Sequence, residues 1–89
     1  NSTSALIEAI NSNYEDAPQR IDDLTSKLNN LHNVSSNIVG LLTKINQITN
    51  GQHLNDSINK LNTINSKLET SINILNTVKS QIEANEQPS

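Results

Sequence analysis

Two apolar stripes with the same seven-residue repeat run along this chain, and they fall out of phase at Asn50-Gly51. That dislocation limits the folds open to it more than any other feature. With heptad positions lettered so that Ile21 is a, the first stripe has Ile7, Tyr14, Ile21, Leu28 and Leu42 at a, a column shared with Ser35 and Thr49. Ile10, Ala17, Leu24, Leu31, Ile38 and Ile45 fall at d, and Leu6, Val34, Leu41 and Ile48 at g. Beyond the dislocation Ile58 and Ile72 are a, alongside Asn65 and Lys79. Leu54, Leu61, Leu68, Leu75 and Ile82 are d, and Ile64 and Val78 are g. An a/d/g pattern specifies helices with one broad apolar face, wider than a two-stranded seam.

Ile58 lies 37 residues after Ile21, two more than five heptads. On one unbroken helix two residues rotate the stripe by about 200°, so the buried face would change sides at Gly51. A reversal of the chain keeps both stripes on one core. Asn50 and Gly51 form the predicted turn, with Gly51 in the left-handed conformation that ends helices. Asn55, Asp56 and Ser57 can open the next helix. The straight alternative is a trimeric fibre-stalk coiled coil carrying an overwound defect at the glycine.

The predicted fold is therefore all-α, a long antiparallel, coiled-coil-like helical hairpin with a short N-terminal helix, completed to a bundle by association. Residues 1–17 form the short amphipathic helix, entered through Ser/Thr caps, and 86–89 a disordered tail. Residues 18–85 form the hairpin, with helices over 18–49 and 54–84 and a turn at 50–53. Asp16 or Ala17 serves as N-cap region, with Pro18 early in the helix. With the turn centred between residues 51 and 52, facing residues carry numbers that add to 103. The predicted core is Ile21, Leu24, Leu28, Leu31, Ile38, Leu42 and Ile45 against Ile58, Leu61, Leu68, Ile72, Leu75 and Ile82. Three layers are flawed: Ser35 with Leu68, Ile38 with Asn65, and Leu24 with Lys79. A core asparagine such as Asn65 can set register or oligomeric state at a cost in stability.

Composition argues against a self-sufficient core. Hydrophobic residues make up 33% of the chain, Tyr14 is its single aromatic, and Phe, Trp, Met and Cys are absent. Aromatics usually supply much of the burial in a small domain. Two helices side by side also leave the g columns half exposed. In the same register Tyr14 faces the last residue, and Ile7 and Ile10 face nothing. These residues must fold back or meet another chain. The candidate partner interface is accordingly Leu6, Ile7, Ile10, Tyr14, Val34, Leu41, Ile48, Ile64 and Val78.

Charge is unevenly spread. Residues 1–23 hold Glu8, Glu15, Asp16, Asp22 and Asp23 against Arg20, a net of −4, whereas residues 24–79 hold five lysines against Asp56 and Glu69, a net of +3. Such segregation suits end-to-end or antiparallel association of chains. The overall charge of −3 disfavours nucleic acid. No metal or cofactor is expected: His32 and His53 read as surface or turn residues, and Asp56 near His53 does not make a ligand set. The acidic pairs Glu15-Asp16 and Asp22-Asp23 suit helix starts. No nucleophile–base pair or phosphate-binding loop is present, so the chain is read as non-enzymatic.

The expected function is a structural or interaction module that oligomerises or docks on a partner protein through its a/d/g face, the partner being itself or another helical protein. A secreted amphipathic protein that coats lipid is the rival, disfavoured by the lack of aromatics. The heptads are covered with Asn, Ser and Thr rather than Glu and Lys, a style that leans towards extracellular, cell-surface or viral coils. In size and shape the predicted hairpin is similar to the small secreted helical hairpins that turn at Trp-x-Gly. This chain has Asn50-Gly51 there and no tryptophan.

Overall fold

The computed structural model describes residues 1–13 and 16–85, without the side chains of Ile7, residues 10–13 and Asn85. Tyr14, the side chains of Ile7 and Ile10, and the tail 86–89 lie outside the described residues. Three helices follow one another: α1 (Ser2–Asn13), α2 (Ala17–Thr49) and α3 (Asn55–Asn85). The two long helices, of 33 and 31 residues, pack against each other as an antiparallel hairpin in a rod of 63 × 17 × 16 Å. The straight stalk is overturned: Lys79 near the end of α3 reaches Asp22 near the start of α2 at 2.7 Å. Helix α1 folds back and touches α3.

Each boundary has a local cause. Asn1 caps α1, its Oδ1 accepting the backbone N–H of Ser4 at 2.8 Å, so the cap is Asn rather than Ser or Thr. Asp16, in left-handed conformation (φ 57°), sets the corner before α2, and Pro18 occupies the first turn, where its missing N–H costs nothing. At the reversal Asn50, not Gly51, takes the left-handed conformation (φ 52°), donating its N–H to Asn46 and Gln47, while Gly51 donates to the Asn46 carbonyl at 3.1 Å. Asparagine tolerates this conformation better than other side chains do, which explains why glycine is not needed there. Leu54 belongs to the turn, and α3 starts one residue later than predicted.

Helix α3 turns inward the face its heptads predict. Leu54, Ile58, Leu61, Leu68, Ile72 and Leu75 are half-buried, and Ile82 is the one buried apolar side chain among the described residues. Helix α2 does not follow its a/d pattern. Its a column, Ile21, Leu28, Ser35 and Leu42, faces α3 as expected, but the second inward column is e: Thr25, His32, Val39 and Asn46. Leu24, Leu31 and Ile38, expected in the core, are 45%, 52% and 42% exposed. Relative to expectation, α2 has rolled by roughly 50° about its own axis.

The polar residues of α3 account for the roll. In the predicted register Lys79 and Asn65 would meet Leu24 and Ile38, and a polar group desolvated without a partner is costly. The roll brings Asp22 to Lys79, and Ser36 to Asn65, whose Nδ2 donates to Ser36 Oγ at 3.5 Å. It also joins His32 Nε2 to Glu69 Oε1 at 2.9 Å and lets Asn46 Nδ2 donate to Asn55 Oδ1 at 3.0 Å. Every one of these cross-helix pairs has residue numbers adding to 101, which locates them on one flank beside the predicted layers.

Candidate interaction surface

Rolling α2 inward by its a and e columns turns its d and g columns outward. Leu24, Lys27, Leu31, Val34, Ile38, Leu41, Ile45 and Ile48 follow one another at alternating spacings of three and four, and seven of the eight are aliphatic. This is an unbroken heptad seam about 36 Å long at helical rise. Val34, Leu41 and Ile48 are 56%, 58% and 84% exposed; Ile45 alone in the series is half-buried. On the helical wheel the outer seam lies roughly 100° from the face that meets α3. A helix carrying two seams at about a right angle is built to touch two neighbours, as in a bundle, rather than one.

The two flanks of the hairpin differ in chemistry. Four cross-helix polar contacts lie on the flank away from the outer seam, where Asp22, Ser36, Asn55 and Glu69 gather. Ile64 and Val78, 47% and 39% exposed, stand on the opposite side of α3 and border the seam, and Ile74 lies further out at 58%. No acidic residue occupies the d or g column of the seam. Lys27, Lys44, Lys60 and Lys67 are exposed and form no ion pair with the described residues.

The interior is the poorer side of α2. Thr25 and Ser35 are its buried residues, with Asn65 buried opposite. Thr25 Oγ1 donates to the Asp22 carbonyl at 3.0 Å, but Ser35 Oγ and the side-chain oxygens of Asn46 and Asn65 are closed off without a partner among the described residues. Lys79 bridges Asp22 and Glu83 at 2.7 and 3.5 Å. Its pKa is raised above the ordinary 10.5, first by the hydrogen bond with Asp22, which outweighs the opposing loss of hydration, and then by attraction to Asp22 and Glu83 and a hydrogen bond with Glu83.

Of the residues predicted for a partner interface, Leu6, Val34, Leu41, Ile48, Ile64 and Val78 are exposed. Leu24, Leu31 and Ile38 move from the predicted core to this surface. Sequence reasoning missed the inward turn of Thr25, His32, Val39 and Asn46. The flawed layers at Lys79 and Asn65 were the signal that could have found it. Among the described residues no three His, Cys, Asp or Glu side chains gather as metal ligands, and no helix is long and apolar enough to cross a membrane. Comparison of the chain with family models, curated proteins and solved structures yields no match.

Proposed function

We propose that this chain is a non-enzymatic interaction module that oligomerises or docks on a partner protein through the outer d/g seam of α2 and the adjoining aliphatic residues of α3. The observation that carries the reading is the contrast on one helix: seven aliphatic side chains in eight outer positions against four in eight facing α3. A contiguous aliphatic stripe of this length on a folded chain marks a contact surface. At 25 cal/mol per Å2, covering even 400 Å2 of it adds about 10 kcal/mol of gross stabilisation before ordering costs.

The test is the cooperativity of melting. Helicity of the isolated chain at low micromolar concentration should melt broadly, and sharpen when association covers the seam. Light scattering that finds a single chain, together with a sharp cooperative melt at the same low concentration, would remove the need for any partner and sink the proposal.

A further inference from the structure

We infer that the occupant of the outer seam is a second copy of this chain, its α2 laid antiparallel against α2 about a two-fold axis near residue 36. The inference rests on the association reading above and names its partner. Three observations support it.

The first is that the seam reverses onto itself. About residue 36, Leu24 meets Ile48, Lys27 meets Ile45, Leu31 meets Leu41 and Val34 meets Ile38, each pair taken once from either copy. Three of these four layers are wholly aliphatic. An isologous interface requires this self-complementarity, because each residue must suit the position that its own image presents.

The second is area. The seam with Ile64 and Val78 beside it is about 36 Å long and two helices wide, or about 700 Å2 per copy and 1,400 Å2 per dimer. That falls within the size class of specific, stable interfaces.

The third is charge, which selects the direction and the pairing. A parallel arrangement would place Lys27 beside Lys27 and bring together the two acidic segments, residues 1–23, each of net −4. The antiparallel one keeps the two acidic segments at opposite ends of the dimer, and lets Lys27 lie along Ile45 with its ammonium in water. Laying α2 on α3 of the other copy instead would press Lys60 and Lys67 against the seam. Pairing α2 with α2 leaves those lysines at the margin.

Sedimentation equilibrium of the full chain, with nitroxide labels introduced by Asn37→Cys and Lys44→Cys in separate samples, tests the proposal. The expected result is a dimer in which the two labels at position 37 are offset by only about 3 Å along the rod and those at 44 by about 24 Å. Ile38→Asn should weaken dimerisation at least 100-fold, and Lys27→Leu, which completes the seam, should tighten it at least 10-fold. A stoichiometry other than two, equal short distances at both labels, or a dimer indifferent to Ile38→Asn would overturn the inference while leaving the association reading in place. A chain that neither associates nor melts sharply would overturn it likewise, still in need of a different partner. A sharply melting single chain would overturn both. The distances come from chains with an intact seam, so a misfolded Ile38→Asn variant would not remove the test.

Discussion

The two faces of α2 invert the usual order of a folded helix. The face turned to its own chain carries Thr25, His32, Ser35 and Asn46 among Ile21, Leu28, Val39 and Leu42; the face turned outward is nearly all aliphatic. Apolar burial is non-directional and can be supplied by any covering surface. A desolvated lysine or asparagine needs a particular partner at hydrogen-bond distance. Where the two demands conflict, as they do opposite Lys79 and Asn65, the helix turns to satisfy the polar residues of α3. Its aliphatic columns are then left for another surface. The difference teaches that a well-formed heptad seam need not be the seam a helix uses within its own hairpin.

Four experiments break or sharpen that contrast, and the largest effect belongs to the inner face. Ile82→Ala should cost about 2 kcal/mol, because Ile82 is only 9% exposed and truncating a buried aliphatic side chain leaves a cavity. Denaturant midpoints should show this loss at every protein concentration. Ile48→Ala, on a residue 84% exposed in the single chain, should change the midpoint only at concentrations where chains associate. Equal losses for the two in dilute protein would abolish the distinction between inner and outer faces.

Asn65→Leu comes next. Asn65 is buried; among the described residues its Oδ1 has no partner, and its side-chain hydrogen bond to Ser36 is long at 3.5 Å. The substitution should stabilise the hairpin by roughly 1 kcal/mol, since an apolar group removes the desolvation penalty. It should also weaken the reason for the roll, which a label on Leu31 would register as greater burial. A large loss of stability instead would mean that the asparagine is fully satisfied.

Gly40→Ala should stabilise by about 1 kcal/mol. An added Cβ meets nothing within 4 Å, so only the helix propensity changes. Because Gly40 lies on neither seam, the gain should be independent of concentration; a dependence would place this residue in an interface.

The smallest effect is a pH profile. The pKa of Lys79 is higher in the folded chain than its ordinary 10.5. Its bridge to Asp22 therefore contributes fully below the ordinary value, and the contribution is lost as pH rises through the raised one. Denaturant midpoints of the native chain should fall across that alkaline window, and Lys79→Met should remove that component of the fall. An identical profile in the variant would show that the bridge contributes nothing measurable.

Much of the hairpin was legible in the chain. The phase slip between Ile21 and Ile58 located the reversal, because helical periodicity leaves only a turn or a defect to explain it. The apolar α3 face from Ile58 to Ile82 followed from its heptads, and so did the exposure of Val34, Leu41, Ile48, Ile64 and Val78. The error lay in giving the a and d columns of α2 to the core by heptad position alone. Leu24, Leu31 and Ile38 were given to the core although two of them would have opposed Lys79 and Asn65. Gly51 was likewise favoured over Asn50 for the left-handed residue, when both types tolerate that conformation.

What the sequence determined alone is the all-α hairpin, since periodicity and a turn are local properties that each segment carries within itself. Which columns of α2 face α3 was decided only in the tertiary structure. That choice depends on what stands across the interface, and the placement of Asp22 against Lys79 and of Ser36 against Asn65 exists only once the two helices lie side by side.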